Sequence, residues 1–189
     1  MRNDLRIRHI SDGDWEAVVD LEAGAYTAAG LSEGRAALRS RADASPATCF
    51  VLDRGNRTVG YLLALPYPMF EYPDLDRTEN VVFHSRNLHL HDLVIAEEFR
   101  GRGLAKSLLR HFTATAAAKG YEGISLIAVR GSDTFWSANG YRAHRDVTPP
   151  TGYGADAVYM SRALPGARSS GTNLAHAPSQ RAPLEDEVG

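Results

Sequence analysis

The sequence predicts a single α/β domain. A length of 189 residues, 43% of them apolar and 23% charged, suits one globular unit around one mixed core. Short apolar runs of strand character alternate along the chain with segments of helical periodicity. Two such runs, "TCFVLD" and "TVGYLLAL", are joined by "RGNR", whose glycine and asparagine suit a hairpin turn.

The elements follow in order. "LRIRHI" places Leu5, Ile7 and Ile10 among basic residues, as a half-buried strand does. "SDGDWEAVVDLEAGAY" reads as a helix, with Ser11 as N-cap, Asp12 and Asp14 in the first turn, and Gly24 weakening its end. "SEGRAALRSRA" reads as a second, short helix capped by Ser32, and the hairpin comes next. Residues 66–87, "PYPMFEYPDLDRTENVVFHSRN", hold three prolines among aromatics and acids, so no long helix or central strand fits. A loop of that length in a compact domain tends to be functional. Beyond it lie the strand "LHLHDLVI", a helix from about Gly103 to Lys119, the strand "ISLIAV", a short helix around "SDTFWSANG", the segment "YRAH" and a last strand "AVYMSRAL". The domain is expected to span 1–164. Residues 165–189 are small and polar, a composition that predicts a disordered tail.

A net charge of −2 gives no electrostatic case for nucleic acid or an anionic membrane as partner. The one cysteine, Cys49, excludes an intrachain disulfide and a multi-cysteine metal site, and its apolar run suits a buried strand thiol. No segment approaches the roughly 20 apolar residues of a membrane span, and the N-terminus has no apolar signal core, so a cytoplasmic location is expected.

The stretch "EEFRGRGLAKSLLRHF" carries the first functional signal. An apolar strand ends at Ile95, a charged turn follows, and Gly101 and Gly103 precede a helical pattern of Leu104, Leu108, Leu109 and Phe112. The unpaired N–H groups of a helix start, with the positive dipole end behind them, form a site for phosphate. Glycines let a ligand approach that backbone, while Arg100, Arg102 and Lys106 add positive charge. A tight structural corner with solvated arginines is the plainer alternative. The spacing fits neither a Walker loop nor a dinucleotide fingerprint.

Arg100-x-x-Gly103-x-Ala105 resembles the Q/R-x-x-G-x-G/A signature of the GNAT superfamily of acyl-CoA-dependent N-acyltransferases. The flanking "DLVI", the long helix, "SLIAV" and "FWSANGY" are similar to that family's elements in the same order, and the likeness covers about residues 5–164. The resemblance implies a mixed, mostly antiparallel twisted sheet of six or seven strands with helices on both faces, splayed near Ile95. It implies acetyl-CoA or another acyl-CoA as co-substrate and no metal. The pyrophosphate would rest on Gly101, Arg102, Gly103, Leu104, Ala105 and Lys106, and the pantetheine arm would lie along Leu93, Val94 and Ile95.

Two histidines stand on the strand just before that corner. Strict alternation places His89, His91, Leu93 and Ile95 on one face and Leu90, Asp92 and Val94 on the other. An ammonium must lose a proton before its nitrogen can attack a thioester, and imidazole titrates in the right range. A structural pair is the alternative, and no third metal ligand stands out. "HLHDL" is similar to the histidine strand of the aralkylamine (serotonin-type) N-acetyltransferases within the superfamily, which implies His89 and His91 as base candidates. Trp136 departs from the family pattern, which has a tyrosine there to protonate the leaving thiolate. Tyr141, Tyr153, Tyr159 or water are the substitutes.

In the long loop, Tyr67, Met69, Phe70 and Tyr72 are candidates for an acceptor pocket wall, and Glu71, Asp74 and Asp76 for attracting an ammonium. The expected reaction is direct transfer of an acetyl or other acyl group from coenzyme A to the primary amine of a small molecule. Cys49 lies outside the site elements, which disfavours a covalent route. A carrier-protein phosphopantetheine donor and a non-catalytic acyl-CoA-binding module are the alternatives, and a homodimer is left open.

Overall fold

The computed structural model describes residues 4–165, so the expected disordered tail falls outside the described residues from 166 onward. Seven strands form one sheet: β1 (Leu5–His9), β2 (Phe50–Arg54), β3 (Arg57–Pro66), β4 (Asn87–Ile95), β5 (Gly123–Ala128), β6 (Arg142–Ala143) and β7 (Val158–Ala163). Their order is β1-β2-β3-β4-β5-β7-β6, antiparallel throughout except for the parallel β4–β5 pair. Four α-helices cover it: α1 (Trp15–Tyr26), α2 (Arg35–Ala44), α3 (Leu104–Ala118) and α4 (Asp133–Ala138). The expected α/β domain, with its mostly antiparallel sheet and helices on both faces, is what the chain forms.

Two apolar cores make the sandwich. Trp15 and Val18 of α1 and Leu38 and Ala42 of α2 pack on Val51, Tyr61, Leu63 and Val94. Leu104, Leu108, Leu109 and Phe112 of α3, with Trp136 of α4, pack on Leu62, Leu90 and Ile124 from the opposite face. Each helix presents an apolar stripe to the sheet, and that burial holds it there.

Local signals place α1 well. The Asp14 carboxylate accepts from the Ser11 N–H (2.8 Å) and hydroxyl (2.7 Å), a short 3₁₀ turn precedes the helix, and Gly24 does not stop it before Tyr26. For α2 the expected cap is corrected. Gly34, at φ +81°, occupies the N-cap, while the Ser32 hydroxyl donates to Glu22 (2.7 Å) instead.

Two expectations about β4 change. Across β3–β4, Leu63 faces Asp92 and Ala64 faces Leu90, so His91 is an extra, bulged residue. The bulge breaks the strict alternation: Leu90 and Leu93, three apart, both join the α3 core, while Val94 joins the α1–α2 core. His91 therefore shares no face with Leu93 and Ile95; its ring meets Arg41 of α2. The β4–β5 pairing also covers only Asn87–Gly123, Leu88–Ile124 and His89–Ser125. The splay thus opens just past His89 rather than near Ile95, because a bulge bends and overtwists its strand.

Candidate active site

The open angle between β4 and β5 is a cleft of about 420 Å³, floored by the α3 corner. Leu93, Val94, Ile95, Arg100 and Ala105 line it on one side, and Leu126, Ile127, Phe135 and Trp136 on the other. Past His89 the β5-facing edge of β4 has no strand partner among the described residues, so its backbone can accept an extended chain.

At the corner, Gly101 (φ +72°) and Gly103 (φ +77°) adopt a left-handed backbone that only glycine takes without strain. A Cβ on either would meet nothing within 4 Å, so conformation rather than packing demands glycine. The first α3 bond runs from the Ser107 N–H to the Gly103 carbonyl (3.0 Å). Among the described residues, the N–H groups of 101–106 have no acceptor, which leaves a nest of donors at the positive end of the helix. The Arg100 side chain folds back to the Ile95 carbonyl (3.1 Å), while Arg102 lies over the Phe99 ring, 5.5 Å from its centroid.

Next to the cleft, beside the β4 bulge, lies a cavity of about 40 Å³ lined by Tyr26, Leu31, Glu33, Leu75, His91, Asp92, Ile127, Val129 and Tyr153. Tyr26, His91, Ile127 and Val129 also line the cleft, so the two spaces share a wall. Behind them sits Arg41, 0% exposed. Its guanidinium donates to Glu33, to Glu79 (2.8 Å) and to the Asp74 carbonyl (3.0 Å), and its Nε lies 2.9 Å from His91 Nε2. His91 Nε2 also meets Glu33 Oε1. One ring nitrogen cannot accept from arginine and donate to a carboxylate at once. With the proton on Nε2, Glu33 accepts it and Nδ1 carries the lone pair; the terminal nitrogens of Arg41 keep their three oxygen acceptors, while its Nε–H is left without one. Nδ1 is buried and, among the described residues, without a partner.

The electrostatics follow from burial. Desolvation pushes the Glu33 carboxyl up, but His91 and Arg41 overcome it and hold it below its usual value. Burial raises Asp92 and Glu79 above theirs. Asp92 accepts the Tyr61 hydroxyl (2.8 Å).

The two histidines differ. His89 is 1% exposed, lines neither cavity, and lies 3.3 Å from the Ser125 hydroxyl. Burial, then the charges of His91 and Arg41, drive its pKa well below the ordinary histidine value. His91 lines both cavities. In the long loop, Tyr67, Phe70, Glu71 and Tyr72 stand outside both cavities: Tyr67 is buried against Phe83, and Phe70 is half exposed. Leu75 and Glu79 of the same loop reach the site instead. Trp136 lines the cleft. The Tyr153 hydroxyl donates to the Pro73 carbonyl (2.6 Å), and the Tyr159 hydroxyl accepts the Phe70 N–H (2.8 Å). The Tyr141 hydroxyl has no partner but is buried in the core beside Trp136.

Sequence reading missed Tyr26, Glu33, Arg41, Glu79 and Asp92. An arginine among apolar positions of a short helix, "AALRSRA", was the available signal for Arg41; nothing local marked the others. A larger groove of about 840 Å³ lies between α1 and the β2–β3 turn. Its best-buried charges are already paired, Arg8 with Asp14 and Asp53.

The sequence matches the family model described as acetyltransferase (GNAT) family over residues 15–141. No functionally curated protein matches it. Similar solved structures include GphF, a GNAT-like decarboxylase in complex with isobutyryl-CoA, at 20% identity and TM-score 0.70, covering 84% of this chain and 99% of that one. The loading GNATL domain of CurA from Lyngbya majuscula aligns at 16% identity and TM-score 0.69, over 85% and 98% of the two chains. The PaiA N-acetyltransferase from Thermoplasma acidophilum, in complex with coenzyme A, aligns at 15% identity and TM-score 0.61, over 85% and 99%. At these identities the likeness is one of fold.

Proposed function

The chain belongs to the acetyltransferase (GNAT) family, and from that premise we propose that it transfers an acetyl or other acyl group from coenzyme A to the primary amine of a small molecule by direct attack. The observation that carries this is the continuity of three spaces: a donor nest of free N–H groups, a cleft along an unpaired strand edge, and a second cavity meeting that cleft at His91. The nest suits a pyrophosphate, the strand edge suits the amide-bearing pantetheine arm, and the shared wall suits the meeting of thioester and amine. The similar structures that hold isobutyryl-CoA and coenzyme A support a coenzyme A thioester as donor.

His91 rather than His89 is the base in this reading, because it lines both spaces and its Nδ1 has no partner. Nδ1 takes a proton from the acceptor ammonium while Glu33 faces the charge that develops on the ring. The freed nitrogen attacks the thioester carbonyl carbon; the N–C bond forms, the C–S bond breaks, and the second nitrogen proton passes through water in the open cleft to the departing sulfur. With a thiol pKa near 8.5, that thiolate needs little acid help to leave.

The test is thiol release from acetyl-CoA with a panel of primary amines. The expected result is saturable turnover in both substrates. The His91→Gln variant should keep its acetyl-CoA affinity and lose roughly 10² to 10⁴ in kcat, while His89→Gln keeps most of it. No thiol release with any amine, despite coenzyme binding, would sink the transfer. Wild-type turnover of His91→Gln at neutral pH would return His91 to a structural role.

A further inference from the structure

We propose that the small cavity beside the β4 bulge is a cation site for the acceptor's ammonium, anchored by Asp92, and that it selects amines bearing no carboxylate beside the nitrogen. This substrate class rests on the amine-transfer reading and narrows it.

Buried carboxylates are normally paired with a cation. Asp92 is 6% exposed and lines the cavity, yet among the described residues it forms no ion pair and meets only neutral phenols, accepting the Tyr61 hydroxyl (2.8 Å) and facing that of Tyr26. The one buried cation nearby, Arg41, is already divided among Glu33, Glu79 and the Asp74 carbonyl. Three carboxylates, Glu33, Glu79 and Asp92, therefore share one guanidinium. A second group points the same way: His91, with a side chain 2% exposed, lines this cavity and has no partner for Nδ1. The other polar groups around it, Tyr26 of α1, Tyr61 of β3 and Tyr153 near the cavity wall, are phenols and supply no positive charge. The carboxylates outnumber the guanidinium by two, and a primary ammonium brings one positive charge with three N–H donors toward that surplus.

The size and walls define the rest. A volume of about 40 Å³ is close to the space one water occupies in the liquid, so it holds the ammonium and little more. Leu31, Leu75, Ile127 and Val129 form the apolar part of its wall, which suits a hydrocarbon stem. A carboxylate on the carbon next to nitrogen would be forced against the buried side chains of Glu33 and Asp92. The same negative surplus weighs against a donor whose acyl group ends in a carboxylate. A divalent metal is the competing occupant, since donor atoms of Glu33, His91 and Asp92 lie within 4.8 Å of one another. The Arg41 guanidinium on Glu33 and beside His91 Nε2 opposes a doubly charged ion there.

Matched pairs differing only by the carboxylate test this on the wild-type protein: isoamylamine against leucine, and phenethylamine against phenylalanine, each with acetyl-CoA. Each amine should exceed its amino acid at least tenfold in kcat/KM. The Asp92→Asn variant keeps the shape and the Tyr61 bond; it should raise KM for the amines at least tenfold with acetyl-CoA affinity unchanged. Amino acids used as well as their amines, or an unchanged KM in a folded Asp92→Asn protein, would overturn the assignment while leaving acyl transfer intact. If no amine is acetylated, calorimetry decides. Phenethylamine binding that is lost in Asp92→Asn would keep the cation site while the transfer reading falls, and no binding to the wild type would overturn both. Zinc binding that displaces phenethylamine would make the cavity a metal site and overturn the proposal.

Discussion

At the α3 end of the cleft, residues 101–106 present six consecutive backbone N–H donors, set by two left-handed glycines. At the other end, the charged groups come from separate segments: Glu33 ahead of α2, Arg41 within it, Glu79 in the long loop, and His91 with Asp92 on β4. The backbone end is indifferent to most side chains and needs only glycine where φ is positive. The side-chain end is a buried ionic cluster, in which every member was taken out of water and each depends on the others. A coenzyme common to a whole family suits the first kind of construction. An acceptor that differs between members suits the second, because single substitutions re-tune it.

The comparison breaks most visibly at Arg41. Replacing it with methionine leaves Glu33 and Glu79 buried without their cation, and removal of one partner from such a cluster typically costs about 3–5 kcal/mol. Denaturant unfolding should show that loss; a change within 1 kcal/mol would mean that the carboxylates take up protons and the cluster is not what holds the loop.

The corner should respond in binding beyond whatever strain the backbone registers in stability. Gly103→Val forces a β-branched residue to φ +77° and projects its side chain into the open space over the N–H nest. Coenzyme A affinity should fall at least tenfold, or about 1.4 kcal/mol, in a direct titration. Unchanged affinity in the folded variant would remove the pyrophosphate from this corner.

The smallest effect separates the two histidines by pH. The folded protein holds the His89 pKa well below 6.5, so it refuses a proton that the unfolded chain accepts. The stability this contributes is complete above pH 6.5 and is lost as pH falls from there toward the folded pKa. Between pH 6.5 and 5.5 the loss from this one group is about 1 kcal/mol. His89→Gln should flatten that part of the stability profile, measured by unfolding at a series of pH values; an unaltered acid limb would mean that His89 titrates in the folded state.

The order of strands and helices was legible because the 2.0 and 3.6 residue periods are local, and so was the α3 corner, where glycines, arginines and an apolar stripe stand within one short stretch. Even there, propensity misplaced a cap: Ser32 is a good N-cap residue, but the buried Glu22 carboxylate claimed its hydroxyl. The bulge at His91 was invisible because it is an offset between two strands, a property of the β3–β4 pair and of neither sequence alone. With that offset went the facing of the histidines and the point where β4 leaves β5. The Arg41 cluster was beyond reach for the same reason in a stronger form. Its contacts join residues 8, 33, 38 and 50 positions apart, and a charged side chain reads as solvent-exposed until the fold encloses it. What the sequence determined by itself is the part of the site made by consecutive backbone. What the tertiary structure decided is the part made by charges brought together from distant segments, where burial, and not residue type, sets which of them can hold a proton or a cation.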